Sequence, residues 1–199
     1  MVPSQVITGA RVVLNDPAGG TPRWSDATLL GYFNDFMKAL AVARGELFIT
    51  PQYPITLVSG EVQTVSKVDT LGLVDVLKNG VGEYVREVDL MEMTTQARGW
   101  AKSTKGAFKV FARKPPDLFT FYVYPPAKGG ETAICSVITE PADVLIADVD
   151  TAVPVANAYR AAGVNYVAGR ALAVNTNAAD VQKGTALVAT AMTFAGVKA

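Results

Sequence analysis

The stretch that decides the fold is residues 155–199, VANAYRAAGVNYVAGRALAVNTNAADVQKGTALVATAMTFAGVKA. Its alanine, valine and aromatic side chains recur at close to the helical repeat on both sides of the polar break Asn175–Asn177. This pattern predicts two helices that form a hairpin. Small residues on both seams allow close approach of the helix axes, but neither helix can bury its apolar stripe alone. The hairpin therefore needs a third helix.

The third helix is predicted over Ser25–Arg44, more than a hundred residues before the hairpin. Ser25 is suited to the N-cap, and Gly45 follows the predicted last turn. An apolar stripe lies between these ends and comprises Leu30, Phe33, Met37, Leu40 and Ala41. Because both ends of the chain contribute to one helical core, the segment between them is expected to be an insertion.

The inserted segment, Phe48–Pro141, changes from helical to alternating periodicity and has frequent turn residues. Two hairpins are predicted, around Ser59–Gly60 and around Asn79–Gly80. Asp89 is suited to cap a short helix that runs to Arg98. Three further strands are predicted over 108–113, 118–124 and 132–139.

These elements predict an α+β fold. A helical bundle, formed by the N-terminal helix and the C-terminal helical hairpin, carries an inserted antiparallel β-rich domain. The helical core domain is expected to be discontinuous, over 1–45 and 150–199, and the β-rich domain to span 46–149.

Composition limits the functional classes. Half of the 199 residues are hydrophobic, and 18 basic residues balance 18 acidic ones, so bulk charge favours neither DNA nor membrane binding. The absence of histidine removes the usual general base and most catalytic zinc sites, so no enzyme and no cofactor is predicted. Neither a signal peptide nor a membrane span is expected.

Two further features have an ordinary structural explanation. Cys135, inside a predicted strand, is expected to serve as a small hydrophobic residue. Asp143, Asp148 and Asp150 could offer oxygen ligands to a cation, although their spacing is not that of a calcium loop. A small-molecule-binding or metal-binding module that uses this 143–150 connector therefore remains an alternative.

Candidate contact residues lie mainly in a basic, aromatic-rich segment, Arg98–Lys114. Such a segment is often a solvated strand edge, but it also suits contact with DNA or an acidic protein surface. Phe121 and Val123 alternate with hydroxylated aromatics on the other face of their strand. The helix 25–44 has a polar face opposite its stripe. The candidate interface or DNA-channel residues are Arg98, Lys102, Lys105, Lys109, Tyr122, Tyr124, Asn34 and Lys38.

The order of short motifs along the chain resembles that of a known family. WSDATLL at 24–30 opens a helix, FYVYPP at 121–126 forms a strand, and YVAGRA at 166–171 lies in the terminal hairpin. This order resembles that of the head-to-tail adaptor, or connector, proteins of tailed bacteriophages. The chain departs from their pattern at 172–175, where an aromatic residue and a lysine–aspartate pair are expected.

The resemblance implies a structural virion protein at the head–tail junction, made in the bacterial host cytoplasm. It implies a ring, commonly of twelve subunits, that contacts the portal protein, a tail nozzle or tail-tube protein and its own copies. DNA would pass through the centre in transient, non-specific contact. Another tail-completion or minor structural virion protein would share most of these features, so this alternative stays open.

Overall fold

The computed structural model describes residues 1–17, 19, 21–96 and 99–196. Over these residues the chain is mixed α+β, with antiparallel sheets and five α-helices. The helices are α1 Pro3–Leu14, α2 Asp26–Ala43, α3 Leu90–Gln96, α4 Arg160–Ala173 and α5 Ala178–Phe194. The strands are β1 Ile49–Thr56, β2 Gly60–Thr64, β3 Thr70–Lys78, β4 Arg86–Glu87, β5 Val110–Arg113, β6 Thr120–Ala127 and β7 Thr132–Thr139.

The chain divides into two compact units. Met1–Leu47 and Pro141–Ala199 form a helical unit, and Phe48–Glu140 form a β-rich unit. The α+β class and the antiparallel sheets agree with the sequence prediction. The functional domain limits of 45/46 and 149/150 stay a prediction.

Helix α2 confirms the helix predicted over Ser25–Arg44. The Ser25 hydroxyl accepts a hydrogen bond from the Thr28 amide at 3.1 Å, which is a standard N-cap. Its apolar stripe is buried, with Phe33 and Leu40 fully inaccessible. The stripe thus accounts for the position of the helix in the core.

Helices α4 and α5 confirm the predicted hairpin. The polar break ends in Asn177, whose side chain accepts from the Ala179 amide at 2.9 Å and caps α5. The helices meet at Gly169 and Gly184, where a Cβ on either glycine would come within 2.7 Å of the other's carbonyl oxygen. Only glycine permits this separation.

Helix α4 contacts α1 and α2 as well as α5. The chain therefore begins with a further packing helix, α1. A Cβ on Gly163 of α4 would lie 3.3 Å from both Val6 and Phe36. The hairpin therefore packs on two helices, not one.

The β-rich unit contains two sheets around one core. The strand orders are β1-β7-β3 and β2-β6-β5-β4. All pairs are antiparallel except β4–β5, which is parallel and departs from the prediction of a purely antiparallel domain. Fully buried side chains from both sheets, including Val76, Phe111, Phe121 and Cys135, form the core.

The hairpin predicted around Ser59–Gly60 is wrong, and the one predicted around Asn79–Gly80 is present only as a short antiparallel turn. The strands on either side of Ser59–Gly60 pair with β7 and β6 and not with each other. After Asn79–Gly80 the chain runs back briefly along the end of β3, with a bridge between Lys78 and Tyr84 and a hydrogen bond from the Val85 amide to the Leu77 carbonyl at 3.2 Å, before β4 joins β5. The turn residues were identified correctly, but strand partners depend on long-range packing that a local turn signal does not specify.

Strand β1 forms an edge of its sheet and is irregular. Its pairing with β7 shifts between Thr50 and Tyr53, and Gln52 has a left-handed backbone with φ of 60°. The strand also contains Pro51 and Pro54. These features mark a β-bulge at the edge strand.

Candidate interaction surfaces

The basic segment predicted from the sequence runs beside the C-terminal end of β6 before the chain enters β5. The Gly106 amide donates to the Pro126 carbonyl at 2.9 Å, and the Lys109 amide donates to the Tyr124 carbonyl at 2.9 Å. Phe108, between them, is fully buried in the core of the β-rich unit. The backbone of this segment is therefore fixed to the strand pair.

Aromatic packing and an amide hold the same segment. The Trp100 ring meets the Tyr122 ring edge to face at a centroid distance of 6.1 Å. The Asn79 side-chain amide donates to the Phe108 carbonyl at 2.8 Å. Trp100 is half-buried and Phe108 fully buried, in agreement with the anchoring expected from the sequence.

The three candidate lysines are all exposed. Lys105 donates from its ammonium group to the Ser59 hydroxyl at 2.8 Å. Lys102 lies on a 3-10 turn, Trp100–Lys102, and Lys109 immediately precedes β5. Arg98 lies outside the described residues. The segment therefore presents a group of cationic side chains to solvent on a fixed backbone.

Tyr122 and Tyr124 are half-buried, whereas Phe121 and Val123 are fully buried. The alternation predicted for this strand is therefore confirmed. Tyr122 supports Trp100, and the Tyr124 backbone holds Lys109. Both tyrosines thus contribute to positioning the basic segment.

Asn34 and Lys38, on α2, make contacts inside the helical unit. The Asn34 side chain donates to the Val144 carbonyl at 3.2 Å and accepts from the Val144 amide at 3.0 Å. The Lys38 ammonium group lies 2.9 Å from the Asp143 carboxylate, and both side chains are about half exposed. The polar face of α2 therefore fixes the 143–150 connector.

The connector uses its acidic residues in different ways. Asp143 pairs with Lys38, while Asp148 and Asp150 are exposed. Within the described ranges, no three histidine, cysteine or acidic side chains converge to hold a metal ion. Asp143 thus has a structural contact that the sequence did not reveal.

An acidic cleft at the other end of the β5–β6 pair was not predicted from the sequence. It has a volume of about 620 Å³ and is lined by Leu73, Glu87, Val88, Asp89, Glu92, Arg113, Pro115, Asp117 and Leu118. Four carboxylates face one guanidinium in this lining. The residues come from β3, β4, α3 and the turn after β5, so no local sequence pattern brings them together.

The charges of the cleft are held in place by hydrogen bonds. Arg113 donates to both oxygens of Glu87, at 2.7 and 2.9 Å, and to the Val74 carbonyl at 3.1 Å. The amides of Phe119 and Thr120, with a smaller effect from Lys67, hold the pKa of Asp117 below its ordinary value. Asp117 is therefore negatively charged at neutral pH.

A second network missed by the sequence prediction lies inside the helical unit. Arg11 of α1 is almost fully buried and contacts the carboxylates of Asp16 and Asp26 at 2.8 and 2.6 Å. It also donates to the Trp24 carbonyl at 2.9 Å. This network joins the start of α2 to α1 and holds the residues 23–26, RWSD, in place.

The comparison with known protein families gives a match that covers nearly the whole chain. Among the described residues, no helix combines the length and apolar character needed to cross a bilayer. No curated protein matches the chain. The family model described as SU10 adaptor protein matches residues 3–196. The chain therefore belongs to the SU10 adaptor protein family and is a structural adaptor of the bacteriophage virion, which interacts with other phage structural proteins.

Proposed function

We propose that the chain forms a ring, of twelve subunits, between the portal and the tail, around the DNA channel. The family match over residues 3–196 is the observation that carries this proposal. A closed ring joins two different surfaces of each subunit, and a chain with two compact units can offer two such surfaces. The portal protein and a tail nozzle or tail-tube protein are the proposed neighbours.

The two units are proposed to divide this work. Helices α1, α2, α4 and α5 act as a helical bundle, with domain limits near 1–45 and 150–199, and the 46–149 segment acts as an inserted β-rich domain. The candidate contact residues of the inserted domain face either the DNA channel or an acidic protein surface. These residues are Arg98, Lys102, Lys105, Lys109, Tyr122 and Tyr124.

Asn34 and Lys38 have a more limited proposed role. Because both side chains hold the 143–150 connector, they would support an interface through the position of that connector. The connector itself lies beside α2 in the helical unit. No function as a cation site is proposed for it.

Copy number and location test the proposed function. Image reconstruction of the virion, together with the mass of a released head–tail complex, should give twelve copies in one ring at the junction. A chain located elsewhere in the virion, or present outside a ring, would contradict the proposal. A phage lacking the gene should fill heads that do not acquire tails.

The isolated chain should be monomeric or weakly self-associating. Its exposed charges and polar turns favour modest interfaces that close into a ring only on a partner. Sedimentation velocity at micromolar concentration tests this expectation. A salt-resistant dodecamer in the absence of any partner would contradict it.

A further inference from the structure

Asn79 is a polar residue in a turn, yet only 1% of its surface is exposed. It is followed by Gly80, and glycine follows an asparagine nowhere else in the chain. Because glycine has no side chain, its backbone nitrogen can approach the side chain of the preceding asparagine with little steric hindrance. This pair is therefore the place in the sequence where an asparagine is most open to spontaneous deamidation.

Deamidation needs only the chain and water. The Gly80 backbone nitrogen loses its proton and attacks the Asn79 Cγ, so that a C–N bond forms and closes a succinimide ring. The bond between Cγ and Nδ2 breaks, and the nitrogen leaves as ammonia after it takes up a proton. Water then opens the ring, which gives aspartate or, by attack at the other carbonyl, isoaspartate. The side chain thereby loses its two N–H donors and gains a negative charge.

The carboxamide of Asn79 makes as many hydrogen bonds as it can. Its Nδ2 donates to the Phe108 carbonyl oxygen at 2.8 Å and to Oε2 of Glu83 at 3.3 Å. Its Oδ1 accepts from the amides of Val81 and Glu83, at 3.1 and 2.9 Å. An asparagine side chain has two donor hydrogens and two acceptor lone pairs, so all four are used. The leaving nitrogen of the reaction is thus held on both of its hydrogens.

The backbone around the pair is also fixed. A Cβ on Gly80 would lie 2.5 Å from the Glu131 Cβ, so this glycine is packed closely beneath that side chain. The Asn79 amide donates to the Glu83 carbonyl at 2.9 Å, and the Gly82 amide donates to the Asn79 carbonyl at 2.9 Å. Ring closure and entry of water therefore require this turn to open first, which makes the reaction slow in the folded chain.

Aspartate at position 79 would not fit the same contacts. Its carboxylate could still accept from the amides of Val81 and Glu83, but it has no hydrogen to donate. One carboxylate oxygen would instead face the Phe108 carbonyl oxygen and the Glu83 carboxylate, where Nδ2 now lies. Both contacts are repulsive, and a buried charge without a partner is costly. The turn and Phe108 should therefore move apart.

We propose that Asn79 is a deamidation site that the folded chain protects, and that its conversion to aspartate loosens residues 106–109 of the basic segment. Phe108 lies between Gly106 and Lys109, whose amides bind the end of β6. A chain that reacts while it is unfolded would therefore refold with its lysines on a less ordered backbone. The site belongs to the single chain and does not depend on the formation of a ring.

Reaction rates in the folded and unfolded chain test the protection. The full-length chain is incubated at mildly alkaline pH with and without denaturing urea, and peptide mapping by mass spectrometry follows conversion at each asparagine. Conversion of Asn79 should be at least about a hundredfold slower in the folded chain, since it requires local opening. Asn177, which precedes alanine, is the internal control and should react far more slowly than Asn79 in urea. Equal rates for Asn79 in both conditions, or no excess over Asn177 in urea, would overturn the inference.

Amide exchange in the variant Asn79→Asp tests the effect on the basic segment. Exchange of the Gly106 and Lys109 amides, followed by NMR, should become about tenfold faster or more. Asn177→Asp makes the same change where only the side-chain oxygen is used, as the cap of α5, and should leave exchange unchanged. Unchanged exchange at Gly106 and Lys109 would overturn the inference. Equal acceleration throughout the β-rich unit, or a variant that does not fold, would contradict a local effect and overturn it as well.

Discussion

Arg11 in the helical unit and Arg113 in the β-rich unit make similar contacts in different surroundings. Each guanidinium group binds a carboxylate, at 2.8 and 2.7 Å, and each also donates to a backbone carbonyl. The Arg11 and Asp16 side chains are 7% and 9% exposed, whereas those of Arg113 and Glu87 are 37% and 43% exposed. Arg11 is therefore buried inside the helical unit, whereas Arg113 lies at the surface of the β-rich unit.

The difference extends beyond two residues. On α2, Asn34 and Lys38 also bind within their unit. Lys102 and Lys109 of the β-rich unit remain in solvent. A polar residue can therefore stabilise its own unit or remain available for a contact. Substitutions should affect stability most in the helical unit and assembly most in the β-rich unit.

Loss of Arg11 should have the largest effect on stability. Arg11→Met leaves the Asp16 carboxylate without its cation, so the free energy of unfolding should fall by more than in any of the variants described below. Urea unfolding measures the loss. The matched variant Arg113→Met breaks an exposed pair and should cost about 1 kcal/mol or less. Equal losses would remove the proposed distinction between the two units.

The close contact of α4 and α5 should be the next most sensitive feature. Gly184→Ala places a methyl group 2.6 Å from the Gly169 carbonyl oxygen, so the helices must separate. Overpacking of this kind costs about 1–3 kcal/mol. Gly31→Ala, in α2, meets no atom within 4 Å and should instead stabilise by about 0.5–1 kcal/mol, since alanine is the better helix former. Unfolding midpoints that move in the same direction would contradict the packing argument.

The pH dependence should differ between the units. Burial, with a smaller effect from Asp75, raises the pKa of Cys135 from 9.0 to about 12. The thiol is thus favoured in the folded state, and this stabilisation is present below pH 9 and lost as pH rises toward 12. Cys135→Ala should remove that alkaline loss, which amide exchange over the β-rich unit can measure. An unchanged alkaline loss in the variant would contradict the assignment.

Asp16 should act at the other end of the pH range. The Arg23 amide, with smaller contributions from Trp24 and Arg11, lowers its pKa below 3.8. Stability from this group is present above pH 3.8 and lost as pH falls through the lower folded value. Asp16→Asn should reduce the acid dependence of amide exchange in α1 and α2. A variant with the original acid profile would show that other carboxylates dominate.

The lysines should have the smallest effect on stability. Replacement of Lys102, Lys105 and Lys109 with glutamine should shift the unfolding free energy by no more than about 0.5 kcal/mol, since all three are exposed. Infectivity and DNA retention of assembled particles should nevertheless fall. Arg160→Gln with Lys183→Gln serves as a control that should retain both. A triple variant with normal infectivity would indicate that the segment is only a solvated strand edge.

The helices were predictable because their signals are local. Ser25 and Asn177 cap helices where the sequence places them, and the stripe from Leu30 to Leu40 is buried. Strand partners were not predictable in the same way. The strands around Ser59 pair with β7 and β6, whose positions depend on the whole β-rich core.

The interaction surfaces were predicted only in part. Lys102, Lys105 and Lys109 lie close together in the sequence, so the basic segment could be recognised as a local pattern. The carboxylates of Glu87, Glu92 and Asp117 converge only after β4 pairs with β5, and no local pattern joins them. Arg11 likewise meets Asp26 only when α1 packs beside the start of α2. Charges distant in sequence require the fold before their contacts can be recognised.

The irregular edge strand β1 has a consequence for the association of separate chains. A regular edge, with its row of unpaired backbone amides and carbonyls, would invite strands of other chains to add. Pro51 and Pro54 provide no amide donors, and the shift at Thr50–Tyr53 bends the edge. The sheet is thereby protected against edge-to-edge aggregation with other chains.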